Sequence, residues 1–217
     1  MTSIAAAPRR GPLNLPTVAG AGFLVAWVAG LSVPVPTPGF GASGGEIVAA
    51  YAGHESAAAV QFLLTEGLPP AALALVPLAL ARAAGWSRAG RVAAVAGLAA
   101  AVVSLAQFLF GMALVAASSP GAAHGWLEAL NRADGVKMFL LATVGVAGAL
   151  AGALPRWLAA TGLALAVAIA GSGIGYALLL TGVATLAYVS LPLLILFITG
   201  AGIALGRKAG QPCRARG

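Results

Sequence analysis

Glu66 stands inside a long apolar run, with Glu55 eleven residues before it and Pro69-Pro70 just after it. A carboxyl at the centre of a membrane helix costs ~2.5–3.5 kcal/mol on insertion scales, which makes such an acid a functional candidate by default. At about 100° per residue Glu55 and Glu66 return to nearly the same helix face. Pro70 has no N–H for the Glu66 carbonyl and Pro69 none for that of Thr65, so two backbone acceptors are freed beside the acid. Kept protonated by apolar surroundings, Glu66 would act as a general acid, with Asp134 or Glu55 as second acid or counter-base. Phe62, Phe108, Tyr176 and Tyr188 would line the pocket and stabilise a carbocation through cation–π contacts, with Gln107 as a polar neighbour. The alternative use of the same carboxyl is proton or cation coupling in a transporter, where the proline break would be a hinge or an ion-coordinating gap. A third reading is a non-enzymatic membrane component.

Other chemistries lack their residues. There is no phosphate-binding loop, no H-E-x-x-H and no cysteine cluster, Cys213 being the only cysteine. His54 and His124 fall on separate loops, too few for a metal site, and no cofactor is expected. The net charge of +7 invites a nucleic-acid partner. The basic residues reject it, because Arg9, Arg10, Arg82, Arg88, Arg91, Arg156, Arg207, Lys208, Arg214 and Arg216 flank apolar runs instead of forming a stripe.

The elements that position these residues are transmembrane. Of 217 residues 60% are hydrophobic and 8% charged, whereas a soluble domain carries about 25% charged. The predicted fold is all-α, a polytopic bundle of six membrane helices near 17–35, 58–84, 92–117, 136–154, 158–180 and 183–205. A disordered basic segment (1–16) precedes it and a basic tail (207–217) follows. The first run could also be a cleaved signal peptide, but it is long enough to span. Its Gly22, Ala26 and Gly30 suit helix packing in lipid. A short helix is expected in 46–57 and an amphipathic one in 125–134, within a polar loop. Basic residues at alternate ends place both termini in the cytoplasm of a multi-pass cell-membrane protein, with all five acids outside.

Polar residues recur as stripes: Ser104, Gln107, Gly111 and Ser118 on the third span; Asp134, Lys137, Leu141 and Val144 on the fourth. Ser172 and Tyr176 follow on the fifth, then Thr185, Tyr188, Pro192 and Thr199 on the sixth. Turned inward together they make one outward-biased polar pocket with Glu66 as its floor and Gln107 and Tyr176 as neighbours. Asp134 and Lys137 would pair at its rim. The partners implied are the lipid bilayer, a lipophilic small molecule and a second copy of the chain.

The acidic 46–55 segment, Leu154-Pro155-Arg156-Trp157, Gly171-Ser172-Gly173-Ile174-Gly175-Tyr176 and the 202–208 exit carry a resemblance to small six-span bacterial membrane proteins of unknown function. In size the chain is also similar to small integral-membrane terpene cyclases, which implies acid-catalysed cyclisation of a prenylated substrate by carboxyl groups inside a bundle. Gly171-Ser172-Gly173 is only partly similar to the serine motif of rhomboid proteases: Ala170 stands where that motif has glycine, and no histidine follows His124. Membrane aromatic prenyltransferases need Asp-rich motifs, and Asp134 is the sole aspartate.

Overall fold

The computed structural model describes residues 14–209. Every element among them is helical: α1 (Leu15–Leu31), α2 (Gly44–Tyr51), α3 (Glu55–Phe62), α4 (Pro69–Ala83), α5 (Arg88–Val115), α6 (Pro120–Leu150), α7 (Arg156–Ala177), α8 (Thr181–Ala184) and α9 (Ala187–Ala209). A π-helical turn, Leu63–Gly67, joins α3 to α4. Five helical legs are long and apolar enough to cross a membrane: α3 through α4, α5, α6, α7, and α8 with α9. At 17 residues α1 is shorter. The legs close into a ring in the order α1, α4, α5, α6, α7, α9 and back to α1, so the fold is a polytopic all-α bundle.

Both described ends of the chain lie at one end of the bundle. Asn14 donates to the Gly206 carbonyl, and Lys208 Nζ donates to the Ala153 carbonyl at 2.7 Å. This basic end also carries the α4–α5 turn with Arg82, Arg88 and Trp86. The opposite, acidic end carries α2, the start of α3, the first turns of α6, and α8. Expectations for residues 1–13 and 210–217, Cys213 included, lie outside the described residues. Leu15 and Pro16 are already helical, Pro16 being suited to a first turn.

Small residues set the helix spacing. A Cβ on Gly20 would sit 3.1 Å from the Thr199 carbonyl oxygen, and one on Gly145 would sit 2.5 Å from that of Gly162. The α1 packing face is therefore Gly20, Phe23, Ala26 and Gly30. Gly22, expected on it, has open space where its Cβ would be.

Three further boundaries differ from expectation. The 125–134 helix is not a separate loop element, because α6 runs unbroken for 31 residues. Ser119 caps its start with Pro120 in the first turn, and no proline interrupts it. At ~1.5 Å per residue it exceeds a ~30 Å hydrocarbon core, so its first turns project beyond the apolar layer. There Glu128 and Arg132 pair at 2.6 Å in the open. The first span stops at Leu31 instead of Val35, since Pro34, Pro36 and Pro38 cannot extend a helix. The inward face of α9 is Ser190, Leu194, Phe197, Ile198, Ala201 and Leu205. Thr185, Tyr188 and Pro192 are off this buried face and exposed, Tyr188 84% so, in the first turn, where a phenol sits well at an interface.

Candidate functional site

The break before Pro69-Pro70 builds the site. Proline rings crowd the carbonyls four residues back, and the turn ahead of them widens, so that Leu68 N–H reaches the Leu63 carbonyl at 2.9 Å. Thr65 Oγ1 bonds back to the Gln61 carbonyl at 2.9 Å. A Cβ on Gly30 would lie 2.6 Å from Thr65 Cγ2, so α1 presses directly on this turn. The carbonyl of Glu66 that Pro70 leaves free is taken by α5, where Ser104 Oγ lies 3.2 Å from it and 2.6 Å from Glu66 Oε2. One hydroxyl proton is thus shared between the backbone and the side chain of the same residue.

From the other side comes Lys137 of α6. Its ammonium is 2.9 and 2.8 Å from Oε1 and Oε2 of Glu66, and 2.9 Å from Oδ1 of Asp134. All three of its donors are used. Gln107 Nε2 of α5 donates to Asp134 Oδ1 at 3.1 Å and to the Leu130 carbonyl at 3.3 Å. Glu66 and Lys137 are buried, and Ser104 and Gln107 almost completely so. Three legs therefore meet at one network, Ser104–Glu66–Lys137–Asp134–Gln107. It holds two carboxylates against one ammonium.

Above the network a cavity of about 540 Å³ opens toward the acidic end. Asp134, Lys137, Gln61 and Asn131 give it a polar side, while Trp27, Phe40, Tyr51, Phe62 and Tyr176 supply aromatic walls. Phe40 meets Tyr176 edge-on at 5.2 Å. Phe62 lies against α5 because Gly111 has no side chain; a Cβ there would sit 2.6 Å from the ring. Burial pushes the Tyr51 phenol, on α2 outside the spans, above its ordinary value.

The predicted residues thus separate. Glu66, Asp134 and Gln107 come together, and Phe62, Tyr176 and the exposed Tyr188 line the cavity. Glu66 is not the cavity floor but lies behind Lys137, and its neighbours are Ser104 and Lys137 rather than Gln107 and Tyr176. Glu55 is exposed at the start of α3, where its carboxylate accepts the Gly53 N–H at 3.0 Å, away from the network. Phe108 packs near Gly67 and is absent from the cavity wall. Asp134 and Lys137 do pair at i,i+3, but in the interior and not at a rim, because Glu66 gives the lysine a second, buried partner. Ser104 and Lys137 were the residues underrated by sequence. Their signal was a place on inward stripes at the depth of Glu66. Among the described residues no three His, Cys, Asp or Glu side chains cluster as a metal would need. Comparison with family models, curated proteins and solved structures gives no match.

Proposed function

We propose that this multi-pass membrane protein binds a lipophilic small molecule carrying one positive charge, in exchange with a proton. The observation behind this reading is the sharing of Lys137 between Glu66 and Asp134. Two carboxylates and one ammonium leave a charge of −1 in a medium where an uncompensated charge is expensive. One proton neutralises it, and so does one ligand cation at Asp134, the acid on the cavity side. Both hydrogen-bonded contacts of Asp134 fall on Oδ1, which leaves Oδ2 for the ligand. The aromatic walls suit the ligand's apolar body and its charge alike. Proton and ligand compete for one site, which is the requirement for exchange transport.

A second reading is favoured by those same aromatic walls: acid-catalysed cyclisation of a prenylated substrate, as in the membrane terpene cyclases. In it a protonated Asp134, not Glu66, transfers its proton to an alkene carbon, the π pair forms the new C–H bond, and the ring-closed cation later returns a proton to the carboxylate. Binding of tetraphenylphosphonium to the detergent-purified protein separates the two. On the exchange reading affinity rises with pH and is lost in Asp134→Asn. Equal binding at all pH values, or turnover of a neutral prenyl substrate without cation binding, sinks the exchange reading.

A further inference from the structure

We infer that the basic end of the bundle carries a second site, for an anionic phospholipid, in the groove between α7 and α9. This groove has a volume of about 330 Å³ and is walled by Pro155, Trp157, Gly200, Ile203 and Ala204, with Arg207 and Lys208 closing one end. It is far from Glu66 and independent of what the cavity binds.

Its shape follows from residue size. Gly200 and Ala204, one turn apart on α9, leave a trough where larger side chains would fill the interface. A Cβ on Gly200 would lie 2.8 Å from Leu158 Cδ2 and 3.3 Å from Trp157 Cη2, so Leu158 packs on the glycine and the indole beside it forms a side wall. Trp157 is still 56% exposed, and a tryptophan at a helix end suits the headgroup level of a bilayer. At the mouth the Lys208 ammonium is held by the Ala153 carbonyl at 2.7 Å, which fixes its place and leaves two N–H donors. Arg207 is exposed beside it and adds a bidentate donor. Arg156 begins α7 next to Trp157, and all five acids of the chain belong to residues 46–134, in other legs. An apolar trough that ends in two cations, one of them held in place, without a counter-acid among the described residues, matches a phosphodiester lipid. The trough takes the chain, and Arg207 and Lys208 take the phosphate.

Native mass spectrometry of the detergent-purified full chain tests this with added phosphatidylglycerol, phosphatidylcholine or inorganic phosphate. Phosphatidylglycerol should be retained over phosphatidylcholine by roughly tenfold to thirtyfold, the worth of two cations at an anionic headgroup. Arg207→Gln with Lys208→Gln should abolish that preference, and Ala204→Phe should abolish retention with both cations intact. Arg88→Gln with Arg91→Gln, at the same end but off the groove, should leave it unchanged. Equal retention of the two lipids, loss in the Arg88/Arg91 pair, full retention in Ala204→Phe, or displacement by inorganic phosphate would each overturn the proposal. If Ala204→Phe fails to purify as a folded chain it is replaced by Ile203→Trp, which fills the trough from the neighbouring position of α9 and carries the same expectation.

Discussion

Lys137 reaches across from α6 to grip both oxygens of Glu66, at 2.9 and 2.8 Å, while holding Asp134 of its own helix at 2.9 Å. The pair ties the broken leg α3–α4 to α6 through the bundle interior. A buried ion pair adds little net stability over apolar packing, but losing one partner strands the other. Lys137→Met should therefore destabilise the protein by ~3–5 kcal/mol, read as reversible unfolding in mixed micelles. Glu66→Gln combined with Lys137→Met should cost less than the sum of the two single changes; an additive result would deny the contact.

Ser104 serves the backbone and side chain of Glu66 together. Ser104→Ala should cost about 1–3 kcal/mol, the penalty of an unsatisfied buried acceptor. Pro70→Ala gives back an N–H four residues beyond Glu66, so the Ser104→Ala loss should shrink in that background. An unchanged loss would show that Ser104 acts on the carboxylate alone.

Glycines divide by surroundings. A Cβ on Gly162 would lie 2.8 Å from both the Gly145 carbonyl and Phe197 Cε2, whereas Gly125 has open space. Gly162→Ala should destabilise by about 1–3 kcal/mol through overpacking. Gly125→Ala, in an exposed helical turn, should stabilise by up to ~1 kcal/mol. Thermal unfolding of the two variants reads both signs.

At the acidic end Ser43 and Glu46 form a reciprocal cap on α2: the Ser43 N–H donates to Glu46 at 2.7 Å, and Ser43 Oγ accepts the Glu46 N–H at 3.3 Å. The bond from the Ser43 backbone, then that from its hydroxyl, holds the Glu46 carboxyl below its ordinary value. A depressed carboxylate contributes stability that is complete above its unfolded value and disappears as pH falls through its folded one. Protection of the α2 amides, taken relative to their intrinsic exchange rates, should therefore fall on acidification, and Glu46→Gln should remove that pH dependence of the protection.

The helices were legible because composition and apolar run length decide them, whereas the ring order rests on helix packing that the sequence does not spell out. Glu66 stood out because its charge conflicts with its setting, and the two prolines beside it marked the widened turn. Lys137 was harder to place. A lysine three residues after an aspartate reads as a local surface pair, and only helix packing reveals a second acid from residue 66 facing it. Glu55 shares a face with Glu66 on an ideal helix. The π turn Leu63–Gly67 holds Glu66 itself and breaks the α-helical register with α3, however, and Glu55 stands exposed in the first turn of α3, where it accepts the Gly53 N–H. Tyr188 lines the cavity as expected but remains exposed, since a phenol at a helix end can keep its hydroxyl in water.

Proton release on ligand binding tests the central claim most directly. In weakly buffered micelles tetraphenylphosphonium binding should release protons in proportion to bound cation, and Asp134→Asn should release none. Cation binding that saturates with no proton appearing in solution would contradict the exchange of charge on the Glu66–Lys137–Asp134 network.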